Sequence, residues 1–255
     1  MAVRAHGRMV FWEGASMWVL GTRPGDGPYP KTQPHAHHAV QVTLSLRGWF
    51  TLETADHQLG GPAAAVAPDT DHAFQAEGAV AHLFIDPEGR SGRELQRVWF
   101  ASAPLVAIPG LAELRGRLLV AFDAPRRKDQ TLIELGREIV AALAPDGERD
   151  LRPDARVRRM STWATARLGA PVSLVDAAAH VGLSTGRARH LFVEHTGLPF
   201  RTYLLWQRLT KAVELFSGGS SLTDAAHGAG FSDSAHLSRT FRRMFGIAAD
   251  SLRVT

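Results

Sequence analysis

The apolar positions of this 255-residue chain change period part-way along it. In the first third they alternate with polar ones. Val40, Val42, Leu44 and Leu46 are interleaved with Gln41, Thr43 and Ser45, the two-residue period of a β-strand. Residues 9–20 predict one or two further short strands; Gly48 ends the Val40 strand, and Trp49–Leu52 begins another. Thr22 to Pro34 is a loop, Gly60-Gly61 a turn, Ala63–Ala67 a short strand, Pro68–Asp71 a second turn, and His82–Ile85 the last strand of the set. Short strands at this spacing predict a sandwich or barrel. From about Arg93 the period becomes helical. Leu95, Val98 and Trp99 mark one helix, Leu111, Leu114, Leu118 and Leu119 a second, and Leu132, Leu135, Ile139, Val140 and Leu143 a third. Pro104, Pro109 and Pro125 separate them.

A charged, proline-flanked stretch, Ala144 to Pro153, then breaks the pattern and predicts a linker. Asp154 caps a helix running through Leu168. Beyond it one pattern is written twice, 48 residues apart, beginning at Ser173 and at Ser221. Ser173 with Asp176, and Ser221 with Asp224, have the spacing of a helix-start capping box. Ala177-Ala178 and Ala225-Ala226 permit close approach of a second helix. Gly182 and Gly230 supply the positive φ of a tight exit turn. Ser184 and Ser232 stand where the next helix would be capped. Helix, glycine turn, capped helix is a helix-turn-helix, whose second helix enters the DNA major groove. Leu205, Leu209, Ala212 or Val213, and Phe216 predict one long helix joining the copies, ended by Gly218-Gly219. The competing reading is a helical bundle that merely repeats.

Charge is divided unevenly. Residues 151–255 hold 14 Lys/Arg against 7 Asp/Glu, and residues 1–150 hold 15 against 18. A polyanion partner is therefore expected for the second half only. All of its cations but Lys211 are arginine, which suits bidentate contacts to guanine and phosphate. With no cysteine, disulfides, thiolate metal sites and a cysteine nucleophile are excluded. The expected setting is the cytoplasm, with no signal peptide and no membrane span.

The repeated segment resembles the DNA-binding domain of the AraC/XylS family of bacterial transcription regulators. The matching residues are Ala225-Ala226, Gly230-Phe231-Ser232, Leu237, Arg239, Phe241 to Gly246, and Leu252-Arg253, with Ala249 where the family usually has proline. The resemblance implies DNA contacts from the exposed faces of two recognition helices. These are Arg187, Arg189 and His190 on the first, where Leu191 and Phe192 face the core. On the second, where Leu237 and Phe241 are core, they are Ser234, His236, Ser238 and Arg239, with Arg242 and Arg243 beyond. Arg189 and Arg239 are the candidates for base edges; Arg187, Arg242 and Arg243 suit phosphate.

Residues 35–75 resemble the cupin barrel, in which His-x-His precedes a glutamate and a glycine. Here His35-x-His37 is followed by Gln41 and Gly48, with Pro68 and His72 as a looser second motif. Alternation along a strand would turn His35, His37 and Gln41 to one face. With His72 they are the candidate ligand or metal residues. Imidazoles of this kind suit Ni, Zn, Co, Fe or Cu; they equally suit the wall of an organic-ligand pocket, or no ligand at all. His38 faces away, and His57 lies in an exposed hairpin.

The fold class expected is α+β. Residues 1–92 form a cupin-like sensor barrel and 93–145 a helical segment that pairs two subunits or covers the barrel. Residues 146–153 are the linker, and 154–255 an all-α domain with two helix-turn-helix motifs. The function expected is a sequence-specific transcriptional regulator, not an enzyme. It would be a homodimer on a double-stranded DNA operator, with a metal or small-molecule effector and RNA polymerase as a further partner. The alternatives are a cupin metalloenzyme of oxygenase or isomerase type and a nucleoid-type DNA-binding protein.

Overall fold

The computed structural model describes residues 5–22, 25–124, 129–144, 154–248 and 252–254. By their contacts the residues divide into two compact units, Met1–Arg149 with Phe241–Thr255, and Asp150–Thr240. The first is built on strands β1 (Ala5–Trp12), β2 (Ala15–Gly21), β3 (Val40–Glu53), β4 (Gln58–Gly60), β5 (Ala63–Val66), β6 (Ala73–Ile85), β7 (Leu105–Ala107) and β8 (Leu252–Val254). They form one sheet in the order β7-β5-β3-β6-β2-β1-β8, with β4 also on β3. Every pairing is antiparallel except β1 with β8. Helices α1 (Arg90–Trp99), α2 (Ala112–Asp123) and α3 (Asp129–Leu143) stand where the periodicities predict helices, although Val98 is exposed and Leu111 precedes α2 as its left-handed cap.

The alternation along β3 sorts its side chains as expected. Val40, Val42, Leu44 and Leu46 share a core with Leu118, Phe122, Leu132 and Ile139, so α2 and α3 cover the apolar face of the sheet. Gln41, Thr43 and Ser45 take the opposite face and are also buried. One expectation is corrected here. Gly48 does not end the strand: a bulge between Ser45 and Arg47 shifts the register, and pairing with β6 continues to Glu53 opposite Ala73. The short strand β7 carried no periodic signal. It exists because it pairs with β5.

The second unit contains α4 (Ala155–Thr165), α5 (Leu174–His180), α6 (Thr185–Thr196), α7 (Phe200–Ser217) and α8 (Leu222–Gly228), and α9 (Ser234–Phe245) begins in it. Asp154 accepts a bond from the Arg156 amide as the cap of α4, although that helix ends at Thr165, short of Leu168. Ser173 and Ser221 accept from the amides of Asp176 and Asp224 at 3.2 and 3.1 Å and donate back to their carboxylates at 2.6 Å. Ser184 caps α6. At the matching place in the second copy the cap is Asp233, not Ser232: its Oδ1 accepts from the His236 amide at 2.7 Å. A carboxylate is the stronger acceptor for a helix start, and Ser232 instead donates to it. Ser221→Ala should cost about 1 kcal/mol. It would lower the urea midpoint with the slope unchanged; an unaltered midpoint would deny the cap its role.

Ala177, Ala178, Ala188, Leu191, Phe192, Phe200, Tyr203 and Leu204 close one core of this unit. Phe192 is fully buried, contributing about 1.5–3 kcal/mol. On α7 the buried face is Leu204, Trp206, Leu209, Ala212 and Val213, whereas Leu205 and Phe216 are only half-buried. The expected linker, 146–153, lies outside the described residues, as do Pro125 and Ala249. The expected C-terminal domain ran to residue 255, but residues 241–255 group with the first unit. The reason is aromatic packing: the Phe245 ring lies 4.7 Å from Trp18 and 5.5 Å from Phe84.

Candidate functional site

His35 and His72 are drawn together by an isolated antiparallel bridge, each amide donating to the other's carbonyl at 2.9–3.0 Å. His37 is held next to them by its carbonyl, which accepts from Asp69 in the Pro68–Asp71 turn. The strand itself starts only at Val40, so this bridge and turn, rather than strand alternation, bring His35 and His37 to Gln41. The ring centroids are 4.4 Å apart for His35–His72, 5.1 Å for His37–His72 and 6.0 Å for His35–His37. All three side chains are buried, and one nitrogen from each lies within 4.8 Å of the others.

Burial governs the charge of the cluster. Loss of solvation, reinforced by the neighbouring histidines, lowers His37 to about 3 and His72 to about 2. His35 is lowered too, chiefly by burial. The rings are therefore neutral near pH 7, the protonation state a metal requires. Two backbone carbonyls fix the tautomers. The Nδ1–H of His35 donates to Gln33 at 2.9 Å and that of His72 to Thr70 at 2.8 Å, leaving each Nε2 a lone pair. Such outer bonds are the usual support of metal-binding histidines. His37 Nε2 donates to Gln41 Oε1 at 2.8 Å. His72 Nε2 meets the same oxygen at 3.3 Å as acceptor against acceptor, a pairing that a proton, a turned amide or a cation would relieve.

Two further residues belong here that pattern reading missed. Gln41 donates to Thr43 Oγ1 at 3.0 Å, and the Thr43 hydroxyl donates to His82 Nδ1 at 3.1 Å. Thr43 was legible as the next residue on the Gln41 face of β3. His82 became so only through its register opposite Thr43. His82 is lowered to about 3, mainly by burial. His35, Gln41 and His82 form one wall of a cavity of about 280 Å³ whose other lining is mostly apolar. Phe245 and Gly246 complete it. Gly246 sits so close that a β-carbon there would lie 2.3 Å from the Gln33 carbonyl oxygen, and its φ is +67°. His38 does face elsewhere: Asp69 and Glu88 flank its two ring nitrogens. His57 is exposed.

The residues expected to meet DNA lie at two places. Arg187, Arg189 and His190 are exposed on α6, which begins at Thr185 three residues past the left-handed Gly182. On α9, Arg239, Arg242 and Arg243 are exposed, and Ser234, His236 and Ser238 are half-buried. Leu191, Phe192, Leu237 and Phe241 are buried as expected. His236 is less available than the pattern implied, because Ser232 contacts its Nδ1 and Phe231 packs edge-on to its ring.

A helix-turn-helix domain model matches residues 177–254. Over 107 residues the chain is 35% identical to the HTH-type transcriptional activator RhaS of Escherichia fergusonii, covering 42% of this chain and 38% of that protein. It is 28% identical over 118 residues to YpdC of Escherichia coli, described as an HTH-type transcriptional regulator, covering 46% and 41%. The likeness in sequence is thus to the helix-turn-helix part of such regulators. The chain spans well under two thirds of the length of these relatives. Among solved structures, ToxT from Vibrio cholerae aligns with 93% of this chain and 96% of its own at a TM-score of 0.57 and 11% identity, a likeness of fold. A second ToxT structure, described as bound to an unsaturated fatty acid, aligns with 93% of the chain and 95% of its own at 0.53 and 13%. No helix among the described residues is long and apolar enough to cross a membrane.

Proposed function

We propose that this chain is a sequence-specific DNA-binding transcriptional regulator, not an enzyme, controlled by a ligand in its N-terminal, cupin-like unit. The observation that carries the DNA-binding half is the pair of serine-opened helix, glycine-turn, helix units, read as two helix-turn-helix motifs. Each leaves arginines exposed on its second helix. Base edges would be read by Arg189 and Arg239, and phosphates held by Arg187, Arg242 and Arg243. His190, Ser234, His236 and Ser238 would add adaptable contacts. Two readers should address major-groove segments about 34 Å apart. The protein would act in the cytoplasm as a homodimer on its operator, α1–α3 being the candidate pairing surface and RNA polymerase a further partner.

The ligand favoured by the geometry is a divalent transition metal, Ni, Zn, Co or Fe, held by His35, His37 and His72 with Gln41 beside them. Neutral buried imidazoles support it, as do the backbone carbonyls that hold the Nδ1–H of His35 and of His72. A small organic effector is the second reading, favoured by the apolar cavity next to the cluster and by the fatty acid in the ToxT likeness. Mass spectrometry of tag-free protein should find near-stoichiometric metal in the wild type and none in His37→Ala. Operator affinity should then change when that metal is titrated. Protein that stays metal-free after soaking in each of the four ions would leave the histidines as pocket walls.

A further inference from the structure

The histidine cluster and the apolar cavity share His35. Gln41 bonds to His37 and approaches His72 on one side, and on the other it lines the cavity with His35 and His82. Charge then decides what the cavity would take. Three neutral imidazoles around a divalent ion leave two positive charges in a buried site. Where cupins have a glutamate, this chain has a neutral amide. No Asp or Glu is among the described residues that line the cavity. A carboxylate that acts on the cluster is that of Asp71, upon His35, and it is exposed. An uncompensated buried charge is costly by several kcal/mol in general, and a site with three protein ligands keeps at least one position open.

Resting on the metal reading above, we infer that cluster and cavity are one composite site. A divalent metal on His35, His37 and His72 would take, at an open position beside Gln41, the carboxylate of a small apolar acid whose body fills the cavity. The shape agrees. Beyond the polar wall the lining is Trp18, Leu20, Phe74, Val80, Phe84 and Phe245. Its volume, about 280 Å³, is at the small end of ligand pockets, which begin near 300 Å³. Lys31 also lines the cavity, but its ammonium is half-exposed and already paired with Glu53. It is the poorer anchor for the acid, and the metal the better one.

Cobalt tests this without any need for the operator. The full-length protein is loaded with Co²⁺ and titrated with benzoate and hexanoate, and with benzyl alcohol and hexanol as uncharged counterparts. The acids should shift the visible d–d bands saturably and tighten Co²⁺ binding at least tenfold; by linkage, the stripped protein should bind the acids correspondingly less well. The alcohols should leave the bands in place. Val80→Phe should keep cobalt and lose the acid response, and Lys31→Ala should keep both. Cobalt bound with bands indifferent to the acids overturns the composite site and leaves the metal reading standing. Acid binding that survives removal of the metal but is lost in Lys31→Ala overturns it in favour of a lysine-anchored acid. Failure to bind cobalt, and equally nickel, zinc and iron, removes the metal reading, and this inference with it.

Discussion

Arg239→Ala is expected to yield a protein that still binds DNA but with a much weaker preference for its own site. Arg239 is exposed on α9 while Leu237, two positions earlier, is buried, so its guanidinium stands off the face that the helix buries. A bidentate arginine–guanine pair is worth about 1–3 kcal/mol of discrimination against the wrong base, or about 5–150-fold. Removing it should compress the ratio of site to scrambled-sequence affinity by that factor. Arg243→Ala should behave differently. A phosphate contact carries no sequence information, so its loss should weaken binding to every DNA alike and reduce the salt slope by about one. The measurement is affinity for a selected site and its scrambled control at several salt concentrations. An unchanged preference in Arg239→Ala would take that residue out of the base-reading role.

Gly230→Ala should be the most destabilising single methyl added to the second unit. Gly230 has φ +82°, and a β-carbon there would lie 2.0 Å from the Leu168 carbonyl oxygen, with the Arg208 guanidinium 3.1 Å away. The left-handed backbone alone costs an alanine about 1–2 kcal/mol, and forcing atoms into a packed site adds about 1–3 kcal/mol. Gly182 at the equivalent turn is the control. Its φ is +70°, but nothing lies within 4 Å of its added β-carbon, so Gly182→Ala should show only the backbone share. Urea unfolding of the two variants separates the contributions. Equal losses in both would mean that Leu168 does not crowd Gly230. The repeat thus has one glycine needed for conformation alone and one needed also for space, a distinction the matching letters hide.

Reading the letters succeeded where the physics is local. A capping box acts over three residues, a glycine exit turn over two, and a helical or strand period over a few more. Both serine caps, the helices α1 to α3 and the joining helix α7 were legible for that reason. It went astray where a neighbour distant in sequence decides. Gly48 has the look of a strand end, but β6 continues the pairing past it through a bulge. On α7 the buried stripe is Leu204 and Trp206 rather than Leu205, because the packing partners select the face. At α9 two adjacent acceptors compete for one cap, and the carboxylate of Asp233 prevails over Ser232.

The site divides along the same line. His35, His37, Gln41 and His72 could be picked out because the His-x-His spacing and the proline turn are written in the chain. The His82 register, the cavity, and the closure by Phe245 and Gly246 could not. Gly246 is joined to Gln33 by a backbone bond across more than 200 residues, and no local period encodes such a pair. What the sequence by itself determined was a duplicated, capped helix-turn-helix pattern on a basic half, preceded by strands bearing a histidine set. Only the tertiary structure decided that these histidines converge, buried and neutral, with His35 and His72 oriented by backbone carbonyls, against an apolar cavity. Burial and long-range packing, which set both their protonation and their company, exist only once the chain has folded.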